Sequence, residues 1–201
     1  MPKRRSRRGV GLVLIDVING FDFEGAEAIA RAATRVAPCI EELARRARAE
    51  KVPVIYVNDN FGRWRSDFRA TVRECTRPKY LGSGIAERLR PAEGDYFVLK
   101  PQHSGFYSTA LELLLDELHV HTVVLTGFAA NLCVLFTAND AHMRGYNVVV
   151  PSDCTASNSA ALTRATLLHV SDALHGSVLP SPKLRFGALA AERRKPRGQT
   201  F

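Results

Sequence analysis

Three side chains that could cooperate in covalent chemistry stand where predicted strands end. Asp16 follows an apolar run at residues 10–15, and Lys100 follows another at residues 96–99. Cys133 comes shortly after a third run, where a turn of small residues opens a helical pattern. A carboxylate can take and return a proton, and an ammonium group can stabilise a thiolate. The three groups therefore indicate attack by the cysteine on an acyl carbon, forming a thioester that water hydrolyses.

The alternation of strands and helices predicts how these residues come together. Strands are predicted at five apolar runs and a weaker sixth: residues 10–15, 52–57, 96–99, 122–127, 146–150 and 176–179. Helical patterns lie between them, the longest at residues 24–51. This order predicts an α/β fold, a three-layer α/β/α sandwich around a mostly parallel six-stranded sheet, similar to a Rossmann fold. Because parallel strands end at one edge, we expect Asp16, Lys100 and Cys133 to meet there.

Length and charge indicate one folded domain with basic ends. The chain has 201 residues and a net charge of +8, of which residues 1–8 carry +5 and residues 189–201 carry +3. We therefore predict one domain at residues 10–188, flanked by basic tails at residues 1–9 and 189–201. A nucleic-acid-binding surface would place charge on the body, so only non-specific contacts by the tails are expected. No apolar run predicts a membrane span, and none follows the basic N-terminus as in a secretory signal.

The four cysteines are scattered along the chain. Cys39, Cys75, Cys133 and Cys154 form no CxxC pair and no zinc-ligand spacing. This usage favours free thiols in a reducing compartment, so a cytoplasmic location is predicted. Cys133 stands at a helix start beside a predicted lysine, and we expect its pKa to lie below the value of about 8.5 of a free thiol.

Three motifs together resemble the isochorismatase-like cysteine hydrolases, a family that includes nicotinamidases. They are LVLIDVINGF around Asp16, VLKPQHSGFYST around Lys100 and TGFAANLCVLFTANDA around Cys133. Their order and spacing extend the resemblance over roughly residues 10–180. The resemblance implies that Asp16, Lys100 and Cys133 form a catalytic triad acting on a small-molecule substrate.

The resemblance also implies further features around the cysteine. It implies a cis peptide bond between Phe128 and Ala129, and an oxyanion hole formed by the backbone N–H groups of Ala129 and Cys133. Members of this family are usually dimers or tetramers, with the cysteine-bearing helix often near an interface. A homodimer or homotetramer is therefore expected.

Two departures from the family pattern narrow the function. Nicotinamidases of the family bind a metal through an aspartate and two histidines after the second strand, whereas this chain has Asp59 there and no histidine between residues 50 and 102. We therefore expect no metal and no cofactor. Isochorismatases commonly lack the nucleophilic cysteine, which is present here as Cys133. The prediction is a metal-independent hydrolase of a C–N (amide-type) bond. The alternatives are an isochorismatase-type or nicotinamidase-type hydrolase, and a non-catalytic binding protein on this fold with polyanion-binding tails.

Loops at the predicted sheet edge supply candidates for a substrate pocket, each with core packing as the alternative. They are Phe21, Asn60, Trp64, Phe106, Tyr107 and Phe128. His103 is interpreted as a loop or interface residue rather than a base, and Asp140 and Asp153 as structural residues.

Overall fold

The computed structural model describes residues 9–60 and 67–192. The strands in this part of the chain are β1 (Gly9–Ile15), β2 (Val54–Asp59), β3 (Tyr96–Lys100), β4 (Val120–Phe128), β5 (Asn147–Val149) and β6 (Thr155–Ala156). The helices are α1 (Ala26–Ala49), α2 (Phe68–Cys75), α3 (Ser83–Arg88), α4 (Leu111–Glu117), α5 (Leu135–Met143), α6 (Ala160–Asp172) and α7 (Phe186–Ala191). A π-helical turn, Ala130–Val134, leads directly into α5.

The strands form one parallel sheet with β1 at its centre. Their order is β3-β2-β1-β4-β5, and the short β6 pairs with the end of β4. This confirms the α/β fold class and the mostly parallel six-stranded sheet. Each strand is connected to its parallel neighbour through a helical crossover or a longer segment, as a parallel sheet requires.

The predicted sixth strand at residues 176–179 is wrong. Ser177 forms only an isolated bridge with Val149, and β6 is the sixth strand instead. The N–H of Leu179 turns back to the Ser177 hydroxyl at 3.5 Å, and Pro180 has no N–H to donate. Pairing with β5 therefore stops after one residue.

Alternate side chains of the strands form two separate hydrophobic cores. In β1, Leu12 and Leu14 pack on one face, while Val13 and Ile15 pack on the other. Helices α1, α2, α3 and α7 cover the first face, and α4, α5 and α6 cover the second. Apolar residues at every position are what a central parallel strand requires, because it is buried on both sides.

The folded part extends beyond the predicted C-terminal boundary of the domain at residue 188. Helix α7 continues past residue 188, and Leu189 is buried against the first core, so ordered packing extends into the predicted C-terminal tail. Residues 1–8 and 193–201, which carry most of the predicted tails, lie outside the described residues. Among the helices of the described part, none is long and apolar enough to cross a membrane.

Candidate active site

Strand register places the predicted catalytic residues at one edge of the sheet. Ile15 at the end of β1 is level with Val57 of β2 and with Gly127 of β4. In the neighbouring pair, Asp59 of β2 is level with Lys100 of β3. The residues that follow these positions therefore converge at the carboxyl edge, where open α/β sheets bind ligands.

Asp16 and Lys100 form a buried ion pair at this edge. Asp16 directly follows β1 with a φ of 51°, a left-handed conformation that aspartate adopts more readily than most residues. Its Oδ1 accepts a hydrogen bond from the backbone N–H of Asp59 at 2.7 Å, and its Oδ2 lies 2.8 Å from Lys100 Nζ. Lys100 is fully buried and Asp16 is 5% exposed. Two charges are tolerated there because each has the other as a partner.

Cys133, in the turn that follows β4, is the third member of the cluster. Lys100 Nζ lies 3.5 Å from the Cys133 sulfur, and the thiol also makes a side-chain hydrogen bond to Asp16. The cysteine lies in the π-helical turn, and its carbonyl accepts a 2.6 Å hydrogen bond from the Thr137 hydroxyl. The structure thus brings together all three residues predicted as a triad.

The electrostatics of the cluster favour a neutral thiol beside an ion pair. Burial raises the pKa of Cys133, the Asp16 charge raises it further and Lys100 lowers it, with a result of about 12. Burial also raises the pKa of Asp16 above its ordinary value, although Lys100 opposes this. The pKa of Lys100 is raised, since the attraction of Asp16 and Cys133 outweighs the effect of burial. The expectation of a lowered pKa for Cys133 is therefore wrong, because it counted the lysine and helix start but not the desolvation and the adjacent carboxylate.

A tight turn connects β4 to the cysteine. Gly127 has a φ of 108°, and a Cβ there would lie 2.0 Å from the Ile15 carbonyl oxygen, so only glycine fits between the two strand ends. The peptide bond between Phe128 and Ala129 is cis. The Ala129 carbonyl accepts hydrogen bonds from the N–H groups of Leu132 and Val134, which closes the turn. The oxyanion hole at Ala129 and Cys133 stays a prediction.

A family model described as "Isochorismatase domain" matches residues 10–179, most of the chain. The chain belongs to this family. The uncharacterized isochorismatase family protein YaaI of Bacillus subtilis (strain 168) is 44% identical over 154 residues, covering 77% of this chain and 84% of YaaI. The ureidoacrylate amidohydrolase RutB of Serratia proteamaculans (strain 568) is 28% identical over 171 residues, covering 72% of this chain and 68% of RutB. The crystal structure of N-carbamoylsarcosine amidase from Thermoplasma acidophilum superposes with a TM-score of 0.70 and 28% identity, covering 88% of this chain and 99% of that one.

The predicted pocket residues of this isochorismatase-family protein fall into different environments. Phe21 and Phe128 are buried and pack against each other, with ring centroids 6.1 Å apart. Tyr107 is 57% exposed. Phe106 is also buried and lies in the second core, where its ring packs against Tyr146 with centroids 5.8 Å apart. That contact joins two residues distant in the sequence, so the sequence neighbours of Phe106 do not reveal it.

The remaining two pocket candidates lie on the β2 side. The N–H of Asn60 donates to the Lys100 carbonyl at 3.0 Å, and Asn60 lines a cavity of about 960 Å³ together with Asn19 and Leu99. Because Asn60 and Leu99 are direct sequence neighbours of Asp59 and Lys100, this cavity adjoins the carboxyl edge of the sheet that carries Lys100. Trp64 lies outside the described residues.

The residues that could hold a metal do not converge in the described structure. Within the described residues 9–60 and 67–192, no three side chains of His, Cys, Asp or Glu are grouped so that they could bind a metal ion. Asp59, the one predicted counterpart of a family metal ligand, instead has its carboxylate 3.9 Å from Lys100 Nζ. Asp59 is thus a second anion beside Lys100, and its charge contributes to the raised pKa of that lysine.

Two residues that sequence reasoning did not select lie at the site or hold a segment next to it. Asn58 is fully buried and exchanges two hydrogen bonds with the backbone of Ile18, at 2.7 and 3.3 Å, which fixes the segment that follows Asp16. Its position directly after an apolar run was a signal of the same kind as that of Asp16. His103, interpreted as a loop or interface residue, has its Nδ1 3.8 Å from the Cys133 sulfur. Asp140, interpreted as a structural residue, accepts hydrogen bonds from the Ser104 hydroxyl and the Arg144 guanidinium.

Proposed function

We propose that this protein is a cysteine hydrolase that cleaves the C–N bond of a small amide through a thioester on Cys133. The observation that carries the proposal is the contact of one buried ammonium group, Lys100 Nζ, with both the Asp16 carboxylate at 2.8 Å and the Cys133 sulfur at 3.5 Å. A surface lysine or a packing cysteine would have no reason for this arrangement, since burying the charges costs free energy unless they are used or paired.

Acylation begins with proton transfer from the thiol to Asp16. Because the pKa of Asp16 is raised and that of Cys133 is far above neutrality, the proton stays on sulfur until a substrate carbonyl is present. The thiolate then attacks the carbonyl carbon while Lys100 stabilises its charge. The N–H groups of Ala129 and Cys133 are proposed to stabilise the oxyanion. Asp16 gives the proton to the leaving nitrogen, the C–N bond breaks, and a thioester remains.

The substrate class is proposed from the relatives. The names ureidoacrylate amidohydrolase and N-carbamoylsarcosine amidase both denote enzymes acting on a nitrogen that carries a carbamoyl group. We therefore place ureido acids and carbamoyl compounds first in a substrate screen, followed by simple amides and formamides. The products are expected to be an amine or ammonia and the corresponding acid.

The test of the mechanism is a pair of variants assayed on that screen. Cys133→Ala is expected to remove turnover of every substrate that the wild type hydrolyses, because no nucleophile remains, while circular dichroism and melting temperature stay close to wild type. Gln102→Ala, at an exposed position in the loop after β3, is the matched control and should retain turnover. Undiminished hydrolysis by Cys133→Ala would exclude the thioester mechanism.

We also propose that the reaction needs no metal and that the protein is a cytoplasmic homodimer or homotetramer. Three exposed apolar side chains support assembly through the cysteine-bearing helix: Leu132, Phe136 and Met143 are 40%, 48% and 67% exposed. Phe136 and Met143 are seven residues apart on one face of α5, and Leu132 lies in the π-helical turn that precedes it. Met143→Glu is expected to lower the molar mass measured by light scattering to that of a monomer, and an unchanged mass would exclude this face as the interface.

A further inference from the structure

The Cys133 sulfur has polar partners of two kinds. Asp16 and Lys100 contact it from within the protein, and both are nearly or fully buried. His103 contacts it at 3.8 Å through Nδ1, and its side chain is exposed. The imidazole therefore borders the solvent-accessible side of the nucleophile, where a water molecule can approach.

Hydrogen bonds to the cysteine-bearing helix hold the segment that carries His103. The N–H of Gly105 donates to the Thr137 hydroxyl at 2.9 Å, and that hydroxyl donates to the Cys133 carbonyl at 2.6 Å. Residue 105 also lies close to β2, where a Cβ would be 2.9 Å from a methyl group of Val57, so glycine fits this position best. The backbone two residues after His103 is thus connected, through one hydroxyl, to the backbone of Cys133 itself.

Neighbouring contacts complete this attachment. The Ser104 hydroxyl donates to the Asp140 carboxylate of α5, and Arg144 holds the other carboxylate oxygen at 2.8 Å. The His103 ring packs against the Phe136 ring with centroids 5.5 Å apart. These contacts restrict both the backbone and the ring of His103, so its position beside the sulfur follows from the packing of the loop on α5.

We propose that His103 is a catalytic residue for hydrolysis of the thioester, the second half of the reaction proposed above. With the proton of the neutral ring on Nε2, Nδ1 removes a proton from water as the water oxygen attacks the thioester carbonyl carbon. The tetrahedral intermediate collapses with cleavage of the C–S bond, and the electron pair remains on sulfur. The acid leaves, and the imidazolium returns its proton to the adjacent Cys133 thiolate, which restores the thiol and the neutral ring.

Asp16 is poorly placed for this second step. Its Oδ1 is occupied by the Asp59 N–H and its Oδ2 by Lys100, and only 5% of the residue is exposed. It can reach the thiol proton, which is already inside the cluster, but an attacking water has little access to it. The two residues therefore act in different steps: Asp16 takes the thiol proton during acylation, and His103 takes the water proton during hydrolysis.

The test separates the two half-reactions with p-nitrophenyl acetate as the probe. Acylation of Cys133 releases nitrophenolate, and hydrolysis of the acetyl-enzyme sets the steady rate. His103→Ala and His103→Gln are expected to show a rapid burst of about one nitrophenolate per site, followed by a steady rate lowered about 100-fold or more, the usual contribution of a general base. Mass spectrometry should find one acetyl group on Cys133 in both variants, and Gln102→Ala should behave like the wild type.

Each outcome decides between the proposals. If His103→Gln turns over like the wild type, or if burst and steady rates fall together without an acetyl adduct, His103 is not the base for hydrolysis, although the thioester mechanism stands. If wild type releases nitrophenolate no faster than Cys133→Ala, the proposed function itself fails. Since His103 is exposed, both variants are expected to fold, and melting temperatures check this.

Discussion

Replacing Asp16 by Asn should make the Cys133 thiol more reactive while it removes turnover. Burial and the negative charge of Asp16 raise the pKa of the thiol, Lys100 lowers it, and the net result is a pKa of about 12. Asparagine keeps the size of the side chain and can place its amide oxygen toward Lys100, but it carries no charge. The variant therefore loses one cause of the raised thiol pKa and at the same time the proton acceptor of the proposed acylation step.

The magnitude follows from the thiolate fraction. At pH 7.5 a thiol with a pKa of about 12 is ionised in about one molecule in 30,000, against about one in ten for a free cysteine with a pKa of about 8.5. The more basic thiolate is the better nucleophile, and a Brønsted coefficient of about 0.4–0.5 recovers about 30- to 50-fold. Alkylation of Cys133 in the wild type should therefore be about 100-fold slower than that of free cysteine. Each unit by which Asp16→Asn lowers the thiol pKa should raise the rate about three- to fourfold.

The assay is alkylation by iodoacetamide between pH 6.5 and 10.5, followed by mass mapping of the Cys133 peptide. N-acetylcysteine supplies the free-thiol rate, and Cys39, half-buried in α1, is the internal reference within each protein. Because only the thiolate reacts, the wild-type rate should rise about tenfold per pH unit over this whole range, without a plateau. A plateau below about pH 8.5, or a slower reaction in Asp16→Asn, would show that Lys100 outweighs burial and that the resting site holds a thiolate.

Three further expectations follow from the structure. Lys100→Met leaves Asp16 buried without its cation and should lower the free energy of unfolding by about 3–5 kcal/mol at neutral pH. Because an uncharged Asp16 needs no partner, the loss should shrink as the pH falls and the carboxyl is protonated; a pH-independent loss in urea titrations would contradict this. Gly127→Ala should cost more than about 3 kcal/mol from its clash with Ile15 and its positive φ, whereas Gly84→Ala in α3, where the added methyl meets nothing, should be neutral or stabilising by up to about 1 kcal/mol. Activity should survive exhaustive treatment with EDTA, and loss of turnover that added metal restores would return a nicotinamidase-type metal site to consideration.

Much of the fold and the centre of the site could be predicted from local patterns. Uninterrupted apolar runs indicate strands buried on both faces, and residues such as Asp16 and Lys100 that follow them are placed at the carboxyl edge by the parallel arrangement alone. The three motifs added the family and the location of the cis peptide bond. The failed strand at residues 176–179 shows the limit of such patterns, since an apolar run becomes a strand only where a neighbour offers continuous pairing.

What the tertiary structure alone decided depends on atoms that are distant in the sequence. The pKa of Cys133 is set by how much water the fold excludes and by a carboxylate more than a hundred residues away, so a helix start and a nearby lysine predicted the wrong direction. His103 contacts the sulfur because its loop is held to α5, where the backbone N–H of Gly105 donates to the Thr137 hydroxyl. Phe106 lies in the second core, where its ring meets that of Tyr146, a residue distant in the sequence. Residue type and periodicity indicate which side chains could take part in chemistry. Desolvation and the packing of loops on helices determine their pKa values and which of them lie next to one another.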